Sequence, residues 1–275
     1  MDKKACTQRW KDRRDSYRFR GDAFHPEAYG VELLPTDREA KAFVCQHHYA
    51  ASYPAARCRI GLYCKRPGWF HSELVGVAVY SVSMQVQALP HYLPTITASE
   101  GIELGRFVLL DEVPFNAESW FLARAERLLR QTHPELRAVL SYSDPLPRQD
   151  ATGKQVTPGH LGIIYQSRNA WYLGRSKPRR HYLTPRGHFL SQRALSKIRQ
   201  EERGHEAAAR ELVLQGADPR RPGEAPSDWL HRILSAFPQV QHPGNHVYAW
   251  IFDTAAQERV AVQRYPKRLT AGHGP

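Results

Sequence analysis

The chain is predicted to fold as an α/β protein built on a mixed, largely buried sheet flanked by helices. Three observations lead there. The run Leu74-Val75-Gly76-Val77-Ala78-Val79-Tyr80 is almost wholly apolar, as a strand covered on both faces must be. Between residues 59 and 176, strand-length apolar runs and helical periodicity follow the mixed order β, β, β, α, β, α, β. The stretch Val139–Ser176 reads strand, polar loop, short helix, strand, and Ser141-Tyr142-Ser143-Asp144 falls at the strand's end. That is where open α/β sheets leave a crevice for a ligand.

Taken in order, residues 1–30 are polar, Arg-rich and poor in aliphatic side chains, and are expected to form a basic arm outside the core. Val31-Glu32-Leu33-Leu34 is a short strand stopped by Pro35. Thr36-Asp37-Arg38-Glu39 has capping-box spacing and leads into a helix from Ala40 to Cys45, which delivers Gln46-His47-His48-Tyr49 to a loop. Those residues fit either a site or an ordinary loop edge. Strands follow at Arg59 to Cys64 and Leu74 to Met84, joined by a turn through 65–70, and residues 85–100, with Pro90 and Pro94, read as a loop.

Glu103 to Leu110 is the next strand. Embedding Glu103 and Arg106 in it is costly unless the two pair or lie at a functional edge. After a turn at Asp111 to Asn116, a helix runs from Ala117 to about Gln131. It has Phe121, Ala125, Leu128 and Leu129 on one face and Arg124, Arg127 and Arg130 on another. Ser119, in its first turn, suits a bound phosphate or a simple cap. Beyond Val139-Leu140, Pro145 blocks the strand and Gly159-His160 opens a helix carrying Ile163, Ile164 and Tyr165.

From Lys177 to His188, basic residues interleave with Tyr182 and, just beyond, Phe189, which suits phosphate contact and base stacking. Ser191 to Gln215 reads as one strongly charged helix, 219–226 as a linker-like break, Trp229 to Phe237 as an amphipathic helix and Val247 to Phe252 as a final strand closing the sheet. The expected plan is an arm (1–30), a catalytic core (31–190), a helical insertion (191–245) available to DNA or a second subunit, closing strand (246–264) and frayed tail (265–275).

No run of 18 apolar residues exists, and the charged N-terminus lacks an apolar segment behind it, so a soluble, unsecreted, cytoplasmic protein is expected. Cys6, Cys45, Cys58 and Cys64 contain no CxxC pair, which points to reduced thiols rather than a zinc knuckle or disulfide scaffold. A formal charge of +12 attracts polyanions, of which nucleic acid is the commonest in a cytosol.

The β, β, β, α, β, α, β order resembles an acyl-CoA N-acyltransferase (GNAT-like) core, which implies a splayed mixed sheet. More specifically, His48-Tyr49, Glu103-Leu104-Gly105-Arg106, Asn116-Ala117-Glu118-Ser119-Trp120-Phe121-Leu122, Ser141-Tyr142-Ser143-Asp144, Gly162-Ile163-Ile164-Tyr165-Gln166 and Tyr172-Leu173-Gly174, in that order, resemble the Mom family of phage DNA modification proteins over about 31–190. The resemblance implies conversion of the N6 amine of adenine in double-stranded DNA to a carbamoylmethyl derivative, protecting phage DNA from host restriction, with acetyl-CoA as acyl source. It implies an active site of His48, Tyr49, Arg106, Ser119, Asp144 and Tyr165 and a cofactor site of Phe107, Val108, Leu109, Asn116, Ser119 and Tyr165. Asp111 to Asn116 stands where acetyltransferases carry a Gly-rich pyrophosphate loop, and contains no glycine.

In this reading Arg175, Lys177, Arg179, Arg180, Arg186 and Arg193 hold DNA, Tyr49 or Trp171 stacks on an extruded base, Asp144 accepts the amine proton, Tyr165 acts as acid, and Arg106 holds Glu103 or Asp144. His47, His48, Asp144 and His160 also carry donor types that suit a mononuclear iron site. Two other readings stay open: an ordinary N-acetyltransferase acting on another amine, and a non-catalytic DNA-binding protein. A dimer is compatible with all three.

Overall fold

The computed structural model describes the backbone of Cys6–Lys11 and Arg14–Phe19 and residues 23–65, 72–83, 85–114, 116–257 and 259–266. The expected turn through 66–70 and the tail beyond 266 lie outside these. The chain divides into two compact units, one of Met1–Pro145, His160–Ser176 and Asn245–Pro275, the other of Leu146–Gly159 and Lys177–Gly244. The stretch 31–190, expected as one core, contributes to both.

In the first unit, β1 (Cys6–Lys11) and β2 (Arg14–Phe19) pair as an antiparallel ribbon. There follow β3 (Tyr29–Leu33), α1 (Asp37–His47), β4 (Ala56–Cys64), β5 (Glu73–Ser81), α2 (Ala88–Tyr92), β6 (Gly101–Leu109), α3 (Ala117–Thr132) and β7 (Ala138–Ser143). After β8 (Arg148–Gln149) and β9 (Gln155–Thr157) of the second unit come α4 (Ile163–Ser167) and β10 (Trp171–Arg175). The second unit then supplies β11 (Arg179–Tyr182), α5 (Gln192–Arg199), α6 (His205–Leu214), α7 (Pro226–Ala236) and β12 (Gln239–His242), before β13 (His246–Ile251) and α8 (Thr254–Gln257) return to the first.

Seven strands form one mixed sheet in the order β10-β13-β7-β6-β5-β4-β3. Every neighbouring pair is antiparallel except β6 with β7, which are parallel and pair only from Gly101↔Ala138 to Glu103↔Leu140. Beyond that point the two strands continue unpaired with one another. Leu110 N–H donates to Val75 carbonyl, so by antiparallel alternation the N–H groups of Val108 and Arg106 also face β5 while those of Phe107 and Leu109 face the widening gap.

Helices cover both faces. Val77 and Val79 pack with Ala40, Phe43 and Val44 of α1, whereas Ala78 and Tyr80 pack with Phe121, Leu122 and Ala125 of α3 and with Tyr165 of α4. The stretch expected as a loop at 85–100 instead contains α2, whose Leu89, with Leu93 and Ile96 after it, buries against β7 and β13. Pro90 lies in the first turn of α2, where a missing N–H does no harm.

Other expectations need correction. Thr36 is the N-cap of α1 but its side chain makes no capping bond. The helix expected to open at Gly159-His160 begins three residues later, after Gly162 at φ 69°. The final strand does not lie at the sheet's edge; β13 is inserted between β10 and β7, with Phe252 just outside it. The helix expected from Ser191 to Gln215 is two, α5 and α6, because Glu201 (φ 49°) and Gly204 (φ 85°) take left-handed conformations that no helix continues through. Tyr265, placed in the expected tail, donates its hydroxyl to Ala170 carbonyl at 2.7 Å.

The entry to α4 is closely packed. A Cβ on Gly162 would lie 2.7 Å from Cε2 of Tyr248 and 2.9 Å from Cδ2 of Tyr165, at a φ that L-residues avoid. Gly162→Ala is expected to cost about 1–3 kcal/mol in urea unfolding. An unchanged midpoint would show that the entry relaxes freely.

The second unit has its own core of Leu190, Leu195, Ile198, Leu212, Trp229, Leu230 and Ile233. Trp229 Nε1–H donates to Asp218 carbonyl at 2.8 Å, and Arg232 binds Glu224 through two bonds of 2.8 Å.

Candidate active site

Where β6 and β7 part, loops from opposite faces of the sheet meet. From the α1 side comes His48-Tyr49; from the α4 side comes His160. The Tyr49 hydroxyl lies 3.3 Å from His160 Nε2, and the Ser143 hydroxyl lies 3.2 Å from His160 Nδ1. Ser143 also donates its proton to the His160 carbonyl. Its oxygen can then only accept from the ring, so His160 carries its proton on Nδ1 and Nε2 is left to accept from the Tyr49 phenol. Burial lowers the pKa of His160, partly offset by the Asp144 carboxylate. Asp144 directly follows β7, and its carbonyl receives the His160 N–H at 2.8 Å.

His48 is buried and stacks on Tyr49 with ring centroids 4.3 Å apart. Its Nδ1 accepts Ala50 N–H at 3.1 Å, which leaves the neutral ring's proton on Nε2. Burial, then Arg106 and His160, pull its pKa down to about 3, so it is neutral at any ordinary pH. Tyr165 is buried at the same gap. Its hydroxyl bonds Ser141, whose own hydroxyl reaches Leu104 carbonyl of β6 at 3.4 Å. Burial raises the phenol's pKa, with opposing help from Ser141 and Arg106, so it keeps its proton at neutral pH.

Tyr49 thus reaches His160, whose N–H is held by the Asp144 carbonyl just after β7, while Tyr165 bonds Ser141 within the same strand. Arg106 joins them by a different route from the one expected. Rather than pairing with Glu103 or Asp144 through a hydrogen bond, its guanidinium donates to Ser52 carbonyl (2.9 Å), Ser52 hydroxyl (2.8 Å) and Gly105 carbonyl (2.6 Å), tying the His48–Ser52 loop to β6. Ser119 donates to Asn116 carbonyl at 3.2 Å at the start of α3; it makes no hydrogen bond to the Tyr49–His160 group among the described residues. Trp171, expected as a base-stacking platform, packs instead with the α2-side cluster.

The iron set does not assemble. Among the described residues no three His, Cys, Asp or Glu side chains are grouped so as to hold a metal ion. His47 packs on Phe43 at 4.7 Å, His48 Nδ1 is taken by a main-chain N–H, and both ring nitrogens of His160 are engaged. Among the residues expected to hold a cofactor, Phe107 and Leu109 turn their N–H groups to the gap, whereas Val108 turns its N–H to β5 and packs against the α1 cluster.

Of the residues expected to meet DNA, Arg175 ends β10 and bonds Tyr172. Lys177, Arg179, Arg180 and Arg186 are exposed on the second unit, but Arg179 and Arg180, adjacent on β11, point to opposite faces of the ribbon. Arg193 is committed to Glu202 through two hydrogen bonds.

Sequence reasoning missed Ser143's role in setting the His160 tautomer, and it missed His246. His246 lies opposite Ser143 in the β13–β7 register, is 1% exposed and holds the Tyr172 hydroxyl at 2.7 Å through Nδ1. Burial, Arg175 and His160 bring its pKa down to about 4. Only the strand register, which no local pattern encodes, could have found it.

A model of the Mom protein family matches residues 31–222, past the expected end at 190. No curated protein matches the chain.

Proposed function

The chain belongs to the Mom family, whose model covers 31–222 of its 275 residues, and from that premise we propose that it is an enzyme modifying adenine in double-stranded DNA. The N6 amine becomes a carbamoylmethyl derivative, and the modified phage DNA escapes host restriction. The observation that carries this reading is the contact of Tyr49 with His160, which is held by Ser143 and by the Asp144 carbonyl, together with Tyr165 bonded to Ser141 of the same strand, where β6 and β7 diverge.

An acyl-CoA N-acyltransferase fold is supported by that divergence and by the helix, α3, that follows β6. Acetyl-CoA fits the donors along this edge. The N–H groups of Phe107 and Leu109 suit a carbonyl oxygen, and Asn116 and Ser119 suit phosphates at the start of α3. Asn116 adopts, at φ 75°, the left-handed conformation that glycine supplies in other acetyltransferase loops, and its side chain does not cap the helix. When bound, acetyl-CoA would supply an acyl group activated as a thioester. In the product N6 is bonded to a methylene carbon and the carbonyl carries an amide nitrogen, so besides the acetyl group the reaction requires a nitrogen donor that displaces the thiol of CoA and a two-electron oxidant that allows a methyl hydrogen to be replaced by N6.

The chain's own residues then have distinct tasks. The adenine must leave the base stack, at a cost of about a few kcal/mol, and the Tyr49 ring, backed by His48, is the platform for it. Asp144 accepts a proton from the N6 amine. His160, unprotonated at Nε2, holds the Tyr49 phenol in one orientation. Tyr165 keeps its proton and serves as the acid.

Expression in a bacterium, followed by digestion of its DNA to nucleosides and mass analysis, tests the reading. A new adenosine species heavier by a carbamoylmethyl group is expected. Unmodified nucleosides from a protein that binds DNA with steep salt dependence would favour a non-catalytic DNA-binding role instead.

A further inference from the structure

We propose that the outer face of α3, with the groove at its C-terminal end, binds the phosphodiester backbone of duplex DNA. The groove, of 740 Å³, is lined by Arg127, Arg130 and Gln131 of α3, by Arg137, and by Phe252 and Asp253 after β13. It lies at the end of β7 opposite Asp144, since Arg137 directly precedes Ala138.

Charge decides the ligand. Asp253 is the one carboxylate among the described lining residues, and it is already neutralised: Arg137 binds it through Nε (2.8 Å) and Nη2 (2.5 Å). Arg137 also binds Glu100 at 2.9 Å. Arg127 and Arg130 make no ion pair among the described residues. Of the acidic residues of α3, Glu126 is buried against Arg168 and Glu118 lies in the first turn, so the exposed face bearing Arg124, Arg127 and Arg130 has no carboxylate of its own.

Geometry favours a polymer over a single small anion. Arg124, Arg127 and Arg130 recur every three residues and rise about 9 Å along the helix, against one phosphate per about 3.4 Å of duplex axis on each strand. The stripe therefore meets two or three successive phosphates. The guanidinium groups at its ends are held over aromatic rings, Arg124 at 3.9 Å from Trp120 and Arg130 at 4.9 Å from Phe252. This fixes them without consuming their charge.

The proposal rests on DNA being the substrate, and the test separates the two. Binding of a short duplex is measured against salt for the full-length protein, R127A/R130A, R127K/R130K and R179A/R180A. Loss of two phosphate contacts is expected to reduce the slope of log K against log salt by about 1.8 in R127A/R130A. The lysine pair should keep the slope, and thermal melting should not change. If the parent protein binds duplex DNA and R127A/R130A keeps its slope, the α3 surface is wrong while the substrate reading stands. If the parent protein does not bind duplex DNA, both fall. Competition by a free mononucleotide or inorganic phosphate at concentrations matching the duplex phosphates would overturn the backbone assignment in favour of a small-anion site.

Discussion

Asp144→Asn is expected to reduce modified adenine by about 10²–10⁴-fold, the usual contribution of a positioned base, while duplex binding stays within twofold. The substitution is chosen for what it keeps. The His160 N–H bonds the Asp144 carbonyl, not its side chain, so the loop that presents His160 to Tyr49 retains its anchor. The carboxylate's charge and basicity are lost while this main-chain bond is kept. Tyr165→Phe is the companion: it removes a buried hydroxyl and its bond to Ser141 without changing ring packing against Tyr248 and Trp250. Modified-base content is read by nucleoside mass analysis and binding by fluorescence anisotropy. Full modification by the Asn variant would remove Asp144 from the chemistry.

The parts of this fold visible in the sequence are those fixed by local pattern. An apolar run as continuous as Leu74–Tyr80 has nowhere to go but the middle of a sheet, and β5 is buried along nearly all its length. Helix α3 follows from its 3.6-residue apolar spacing. The position of β13 does not: its insertion between β10 and β7 depends on pairings such as His246↔Ser143 across 103 residues of chain, which leave no periodic trace. Helix α2 was hidden because Pro90 and Pro94 punctuate the i, i+4 pair Leu89 and Leu93. In the candidate site, residue types and the family resemblance nominate Tyr49, Asp144 and Tyr165, but partner choice came from geometry. Arg106 reaches a main-chain carbonyl on the His48–Ser52 loop, and Ser143 rather than a carboxylate orients His160.

Arg168→Met should destabilise the protein by up to about 1.4 kcal/mol more at pH 8 than at pH 5, and the cause lies beneath α4. Glu126 of α3 is buried, and Arg168, which caps the C-terminus of α4, donates to it at 3.0 Å. Burial raises the Glu126 pKa from its ordinary 4.5 to about 7, with Arg168 and Arg130 opposing the rise. A carboxyl whose folded pKa is raised favours the fold when protonated, so its contribution is complete below pH 4.5 and fades as pH climbs through 7. For the parent protein that loss is about 3 kcal/mol. Without Arg168 the pKa rises further, so the acid holds its proton to higher pH, and at pH 8 the substitution costs up to about 1.4 kcal/mol more than at pH 5, the span from the parent's pKa of about 7 to pH 8. At pH 5 the acid is neutral and the same substitution should cost little more than lost packing. Chemical unfolding at the two pH values reads the difference. Glu126→Gln should flatten the parent's pH dependence, and equal destabilisation of Arg168→Met at both values would sink the account. Because Trp250 Nε1–H donates to the Arg168 carbonyl at 3.1 Å and α4 carries Tyr165, the ion pair sets the height of Tyr165 over the gap between β6 and β7. Arg168→Met assayed at pH 8 below its unfolding transition should therefore lose modification activity before it loses DNA binding.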